Sequence, residues 1–352
     1  MKSICILTFL CIVLYNTIFS LQLKKFDLRQ PDPKVENVEP ATDLLRSYLP
    51  KKTSDNAAEL LFYKVNRTIL KEVCKQKQHY LQQEVFTKNF ENWILIPPKH
   101  KIAYCHLAKV GSSSWKTYLI PLISNRKLQE KVLKMKLDDL HSTIDKLFSS
   151  KNVDTSNRKM SEYLAMEKYF TFVFVRHPLD RLVSAYSDKL LRSKPVAQWA
   201  QFKNYLVKNY GQLNFQNFLR MVLTSMDKCN SQTTTCFNSN INIHWQPYYQ
   251  LCEFCDVEYD YIGRIETFNH DVQEVLIQAN LTEYIPLQNI KPVHQSTTMS
   301  KSQFEVDENG IQAKELTKQY FKNVEQSIVK QIIQYYELDF LLFQYSTRDI
   351  LK

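Results

Sequence analysis

Glycine is scarce in this chain, with 4 among 352 residues where about 7% is usual. Each one that remains therefore marks a backbone position with a special demand. The phosphate-loop pattern G-x-x-x-x-G-K-[ST] is missing altogether, which disfavours an ordinary nucleoside triphosphatase or kinase. There is no low-complexity tract and no internal repeat, and aromatic residues reach 12% of the chain, which argues against disorder over most of its length. Acidic residues are outnumbered, 36 against 46 Lys and Arg, leaving a formal charge of +10. An excess of that sign suggests a polyanionic partner.

One of the four glycines, Gly111, falls within His106-Leu-Ala-Lys-Val-Gly-Ser-Ser-Ser-Trp-Lys116. Before it, 102–107 is a short apolar run of strand type; after it, 115–120 reads as the onset of a helix. A strand, a tight turn and a helix N-terminus aim several backbone N–H groups and the positive end of a dipole at one point, which suits an anion. Lys109 adds a full charge, Ser112, Ser113 and Ser114 add hydroxyl donors, and Gly111 suggests a backbone that approaches its ligand closely. The plain alternative is a Ser-capped helix following a buried strand.

A second segment begins at Phe170-Thr-Phe-Val-Phe-Val175, an apolar run of the length of a central strand buried on both faces. Arg176 stands at its exit, where open α/β sheets bind ligands and where a guanidinium matches phosphate geometry. Pro178 lies near the start of the next helix, in which Arg181, Ser184 and Asp188 recur at near-helical spacing. The alternative is an Arg paired with Asp180 or Asp188 on a solvated face.

Together the two segments resemble the 5′-phosphosulfate and 3′-phosphate binding elements of Golgi carbohydrate sulfotransferases, in the group that includes the HNK-1, chondroitin 4-O- and dermatan 4-O-sulfotransferases. His244-Trp-Gln-Pro-Tyr-Tyr-Gln-Leu-Cys-Glu-Phe-Cys255, Tyr259-Asp-Tyr-Ile-Gly-Arg-Ile-Glu-Thr267 and Tyr335-Tyr-Glu-Leu-Asp-Phe-Leu-Leu-Phe343 follow in that family's order, so the likeness covers roughly 60–346. It departs at Ala108, where the family has Pro, and at Ser112-Ser113-Ser114, where it has a small residue, Thr and Asn. The resemblance implies an α/β, three-layer, P-loop-like sulfotransferase fold with a small parallel sheet flanked by helices. It implies that Ala108, Lys109, Val110, Gly111, Ser112, Ser113 and Ser114 hold the 5′-phosphosulfate of 3′-phosphoadenosine 5′-phosphosulfate, and that Arg176 and Ser184 hold the 3′-phosphate. A glycan hydroxyl would then attack sulfur in line, with Lys109 stabilising the leaving oxygen and no metal required.

The attacking hydroxyl must lose a proton. His141, His106, His244 and Glu162 are the candidates, and His141 is preferred because related glycan sulfotransferases can take a histidine base from between the two nucleotide segments. The block His244–Tyr249 suits either stacking on sugar rings or a packed surface turn.

Residues 4–21 form an apolar stretch preceded by Lys2 and followed by Lys24 and Lys25, so 1–21 reads as a signal-anchor or signal peptide. The resemblance favours an uncleaved single-pass type II anchor in the Golgi membrane; secretion after cleavage is the alternative. Residues 22–58, with Pro31, Pro33, Pro40 and Pro50 among charges, read as a stem, and 59–352 as one lumenal catalytic domain. Outside the apolar segment six cysteines remain, an even number that suggests disulfides in a secretory chain. The preferred pairs are Cys229–Cys236, Cys252–Cys255 and Cys74–Cys105, with a zinc site from Cys229, Cys236, Cys252 and Cys255 as runner-up. Asn66-Arg-Thr and Asn280-Leu-Thr are glycosylation sequons.

For a chain entering the secretory pathway the polyanion is an anionic glycan, from a glycosaminoglycan or a glycoprotein, and not nucleic acid. Lys51, Lys52 and the positions around Lys127, Lys131, Lys134 and Lys136 are candidates for an acceptor groove or a solvated helix face. Helices are expected at 197–207, 215–224, 269–280 and 324–336, and strands at 102–107, 170–175 and 259–264. A catalytically silent lumenal glycan-binding protein of the same fold is the alternative function, and a protein-tyrosine sulfotransferase a lesser one.

Overall fold

A computed structural model describes residues 67–76, 87–191, 197–230, 242–290, 311–347 and 351. The expected membrane segment and stem, Lys51 and Lys52, the Cys229–Cys236 pairing and the Asn66 sequon lie outside the described residues. Among those described, no helix is long and apolar enough to cross a membrane.

The apolar run at 170–175 forms the strand Phe170–Val175 (β3), and from its second residue onward every side chain is buried. Ile102–Cys105 (β2) lies parallel to it on one side, with Cys105 opposite Val173, and Tyr261–Arg264 (β4) lies parallel on the other, with Val175 opposite Arg264. A two-residue strand, Ile94–Leu95 (β1), adds an antiparallel edge beside β2. The sheet is thus four-stranded, in the order β1-β2-β3-β4, and mostly parallel. β1 is too short to show a period of two and left no signal in the sequence.

Helices flank this sheet. In chain order they are Arg67–Gln76 (α1), Ser112–Tyr118 (α2), Arg126–Leu133 (α3), Leu137–Leu147 (α4), Met160–Met166 (α5), Pro178–Ala185 (α6), Ala197–Tyr210 (α7), Phe215–Asn230 (α8), Phe268–Gln278 (α9), Ile311–Lys322 (α10), Gln326–Tyr335 (α11) and Glu337–Leu342 (α12). The four helices expected at 197–207, 215–224, 269–280 and 324–336 correspond to α7, α8, α9 and α11. Helix α2 begins earlier than expected, so the three serines form its first turn instead of a loop ahead of it. Trp115 explains the placement. Fully buried, it packs on Phe172 and Phe174 of β3 with ring centroids 4.7 and 5.3 Å away, and this pins α2 to the sheet. On β4, Gly263 leaves room for the Phe174 ring, which lies 2.5 Å from where a Cβ would stand.

Two disulfides replace two of the expected pairs. Cys105, at the exit of β2, bonds Cys252, and Cys74 of α1 bonds Cys255. Residues 253–256 make a turn closed by the Asp256 amide on the Glu253 carbonyl. Cys252, ahead of the turn, is buried against the sheet, whereas Cys255 within it is exposed. The Cys252–Cys255 and Cys74–Cys105 assignments are therefore wrong, and the zinc alternative falls with them, because both of its best-spaced ligands are oxidised. Asn280 is exposed at the end of α9, as a glycosylation acceptor must be.

Candidate functional site

At the carboxyl end of β2 the chain turns through two left-handed residues, Lys109 at φ 70° and Gly111 at φ 77°. Gly111 is the N-cap of α2. Its freedom is needed for this φ and for packing: a Cβ would stand 2.5 Å from Cε2 of Phe268 and 3.2 Å from Cδ1 of Ile265. The expected close approach is thus to a neighbouring aromatic ring. No side chain caps α2, so the amides of its first turn receive no internal side-chain acceptor.

Lys109 points to the end of the second segment. Its Nζ donates to Oδ2 of Asp188 at 3.0 Å, and Lys189 Nζ reaches the same oxygen at 3.0 Å. All three side chains are less than one-fifth exposed. Burial lowers the Lys109 ammonium to a pKa of about 8, a shift that Asp188 opposes and that Lys189 and Arg176 reinforce. Burial alone would raise the Asp188 carboxyl, but the charges of Lys109 and Lys189 outweigh it and hold the group well below the usual carboxylate range. Asp188 and Lys189 sit on a π-turn, Tyr186–Leu190, that continues α6 and is closed by the Leu191 amide on the Tyr186 carbonyl at 3.2 Å. Such turns recur at functional sites.

Arg176 leaves β3 half-buried, its backbone fixed by Tyr248: the Arg176 amide donates to the phenol oxygen at 3.2 Å, and the phenol donates to the Arg176 carbonyl at 3.1 Å. His177 caps α6, its Nδ1 accepting from the Leu179 amide at 3.3 Å while Nε2–H donates to the Ser346 carbonyl at 2.9 Å. Ser184 is half-buried on α6, two turns after Arg176.

Arg181, which recurs with Ser184 and Asp188 at near-helical spacing, is a buried strut, 1% exposed. Its guanidinium donates to three carbonyls, of Ala108 at 3.1 Å, Ile243 at 2.6 Å and Gln246, and lies over the Tyr248 ring at 4.3 Å. The phosphate-type loop is thereby tied to the 243–248 segment. That segment is held in turn by Asp339, fully buried, whose two oxygens accept the amides of Tyr248 at 2.8 Å and Tyr249 at 3.1 Å. The aromatic block is therefore core, with Trp245 1% and Tyr248 0% exposed, and is no platform for sugar rings.

The base candidates separate clearly. Glu162 is exposed on the first turn of α5 and, among the described residues, bonds to neither segment. His106 is nearly buried, its Nε2 3.9 Å from Asp145, and burial with the charge of Lys116 holds its pKa well below normal. His244 Nδ1 is bonded to the Asn242 side chain at 2.5 Å, and burial, with Lys189, Lys109 and Arg181, pushes its pKa down to about 2, a poor proton acceptor. His141, on α4, has a buried Nε2 with no hydrogen-bond partner. Its pKa is lowered by burial and by Lys116, and Lys189 is close enough to contribute. One turn on, Asp145 pairs with the buried Lys116 of α2 at 2.6 Å.

The structure thus brings Lys109, Arg176 and the first turn of α2 to one end of the parallel strands, with His141 within electrostatic reach of Lys189. Sequence reasoning missed Lys189, Lys116 and the strut role of Arg181. Asp188 and Lys189 directly follow the recognised helix, but a π-turn leaves no mark in side-chain periodicity.

The chain is similar to known proteins over most of its length. The chain is 25% identical over 303 residues to rat carbohydrate sulfotransferase 11, covering 83% of this chain and 78% of that protein. It is 27% identical over 306 residues to carbohydrate sulfotransferase 10 of Xenopus laevis, covering 83% and 78%. To human carbohydrate sulfotransferase 9 it is 26% identical over 293 residues, covering 80% and 59%. No solved structure matches the chain significantly. The model of the sulfotransferase family matches residues 92–346, which includes both segments and every later block, and the chain belongs to that family.

Proposed function

We propose that this sulfotransferase is a carbohydrate O-sulfotransferase that moves a sulfuryl group from 3′-phosphoadenosine 5′-phosphosulfate to a hydroxyl of an anionic glycan. The observation that carries the reading is the carboxylate oxygen of Asp188 held between the ammonium groups of Lys109 and Lys189 at 3.0 Å each. Where a carboxylate oxygen fits, so does an oxygen of a phosphosulfate, and the first turn of α2, which no side chain caps, follows Lys109 directly in the chain.

In this reading Lys109 and the backbone of 108–114 hold the 5′ end of the donor, and Arg176 with Ser184 the 3′-phosphate. The donor supplies an activated sulfuryl group: the acceptor oxygen bonds sulfur as the bond from sulfur to the bridging phosphate oxygen breaks, and the electron pair leaves on that oxygen. Lys109 faces the growing charge, a contribution on the order of 3 kcal/mol for one such donor. His141 Nε2 accepts the proton of the attacking hydroxyl; its lowered pKa keeps it neutral and ready at neutral pH. The names of the relatives support a carbohydrate acceptor and the formal charge of +10 an anionic one; the sequence resemblance adds the GalNAc of chondroitin or dermatan, or a glucuronic acid terminus of HNK-1 type, on a glycosaminoglycan or glycoprotein. Two disulfides fit a lumenal compartment, and residues 1–21 would anchor the chain in the Golgi membrane through the 22–58 stem.

The test is transfer of labelled sulfate by the full chain to chondroitin, desulfated dermatan, heparosan and a glucuronic-acid-terminated oligosaccharide. Incorporation into one acceptor defines the substrate class. Folded protein that neither transfers sulfate nor binds the donor would overturn the reading.

A further inference from the structure

The carboxylate between Lys109 and Lys189 raises a question of charge. An anion-binding site built from Lys109, Lys189 and Arg176 gains nothing in affinity from an acid at its centre, yet Asp188 stands within hydrogen-bond distance of both lysines and is 18% exposed. The neutral His244, on which Lys189, Lys109 and Arg181 also act, lies within electrostatic reach of Asp188. We infer that Asp188 is a displaceable counter-ion of the donor site, holding Lys109 in place while no donor is bound and exchanging with an oxyanion of the donor on binding. The inference rests on the donor reading above.

Lys109 has a left-handed backbone and its ammonium is largely cut off from water, so in the empty site it needs a hydrogen-bond acceptor to hold it in place, a need that an amide oxygen also meets. Asp188 supplies the partner from the second segment and closes the two halves of the site on each other. When an anionic group arrives, the lysines trade one oxyanion for another, and the displaced carboxylate stays nearby as a repulsive charge. Donor binding is weakened, and release of the bisphosphate product is helped, by the same residue. Asp188 is thus a positioning residue acting through Lys109.

A purely structural brace and a competing counter-ion predict opposite signs. Calorimetry with adenosine 3′,5′-bisphosphate at pH 6.5, on the full chain and on Asp188→Asn and Asp188→Glu, separates them. We expect Asp188→Asn to bind about tenfold more tightly, the scale of one unit charge removed at close range, with a steeper loss of affinity as salt rises. In sulfate transfer its KM and kcat should fall together as product release slows, while Asp188→Glu stays near wild type in all of these. Unchanged or weaker binding by folded Asp188→Asn would overturn the inference while leaving the donor reading in place. Failure of the wild-type chain to bind the bisphosphate would overturn both. Should Asp188→Asn not fold, Asp188→Ser makes the same comparison.

Discussion

Lys109 and Arg176 are two cations with different duties, and substitution should separate them. Lys109→Ala is expected to lower sulfate transfer by about 100-fold or more with the fold intact, measured as kcat beside an unchanged thermal unfolding curve. Arg176→Ala should chiefly weaken binding of donor and adenosine 3′,5′-bisphosphate, by roughly tenfold to a hundredfold for a lost charged hydrogen bond, measured by calorimetry. The pH dependence follows from the same residues. His141 must be neutral to accept a proton, and its pKa lies below the ordinary 6.5, so the acid limb of kcat/KM should fall below that value. Lys109 must be charged to bind an anion, so the alkaline limb should descend through about 8. An acid limb that survives in His141→Ala would remove His141 as the base. The turn at Gly111 and the place of Arg176 at the exit of β3 were legible in the sequence, because glycine is rare in this chain and the apolar run of β3 ends at the arginine. Arg181 was not, since a buried strut and a phosphate ligand share one residue type and one helical spacing.

At the scale of elements, the phosphate-type loop depends on what lies beneath it. Gly111→Ala places a methyl group 2.5 Å from Phe268 on a left-handed backbone, and should cost about 1–3 kcal/mol of stability while weakening donor binding, read by thermal unfolding and calorimetry on the same sample. The Asp339 carboxylate accepts two amides, and burial raises its pKa to about 7 even so. An Asn there would turn an N–H against one of those amides, so Asp339→Asn should destabilise by roughly 1–3 kcal/mol; a variant as stable as wild type would show that the 243–250 segment is held by its aromatic packing alone. The central strand β3 was plain from its apolar run, and the helices from their period. The β1 edge and the π-turn were hidden, because two residues, or one extra residue in a helix, give no periodic signal.

Across the whole molecule, both disulfides converge on residues 252–255 and close loops of 147 and 181 residues in sequence separation. In the chain-entropy account a single closure of this length is worth on the order of 4–5 kcal/mol. Cys105→Ser with Cys252→Ser should therefore lower the unfolding temperature markedly, and mass spectrometry of unreduced peptides should find Cys74 with Cys255 and Cys105 with Cys252; the adjacent pairing would overturn the assignment. The sequence supplied the even cysteine count but not the partners, because pairing is set by the sheet, which brings the exit of β2 to a turn far along the chain.

The π-turn at Tyr186–Leu190 bears on what lengths this region tolerates. A helix advances about 100° per residue, and the one extra residue in the turn sets the direction in which Asp188 and Lys189 face. Removing a single residue there would let α6 run on as a regular helix and swing both charges away from Lys109 without altering either of them. The site is thus encoded partly as a residue count, a kind of information that a single deletion removes while every side chain of the site is kept.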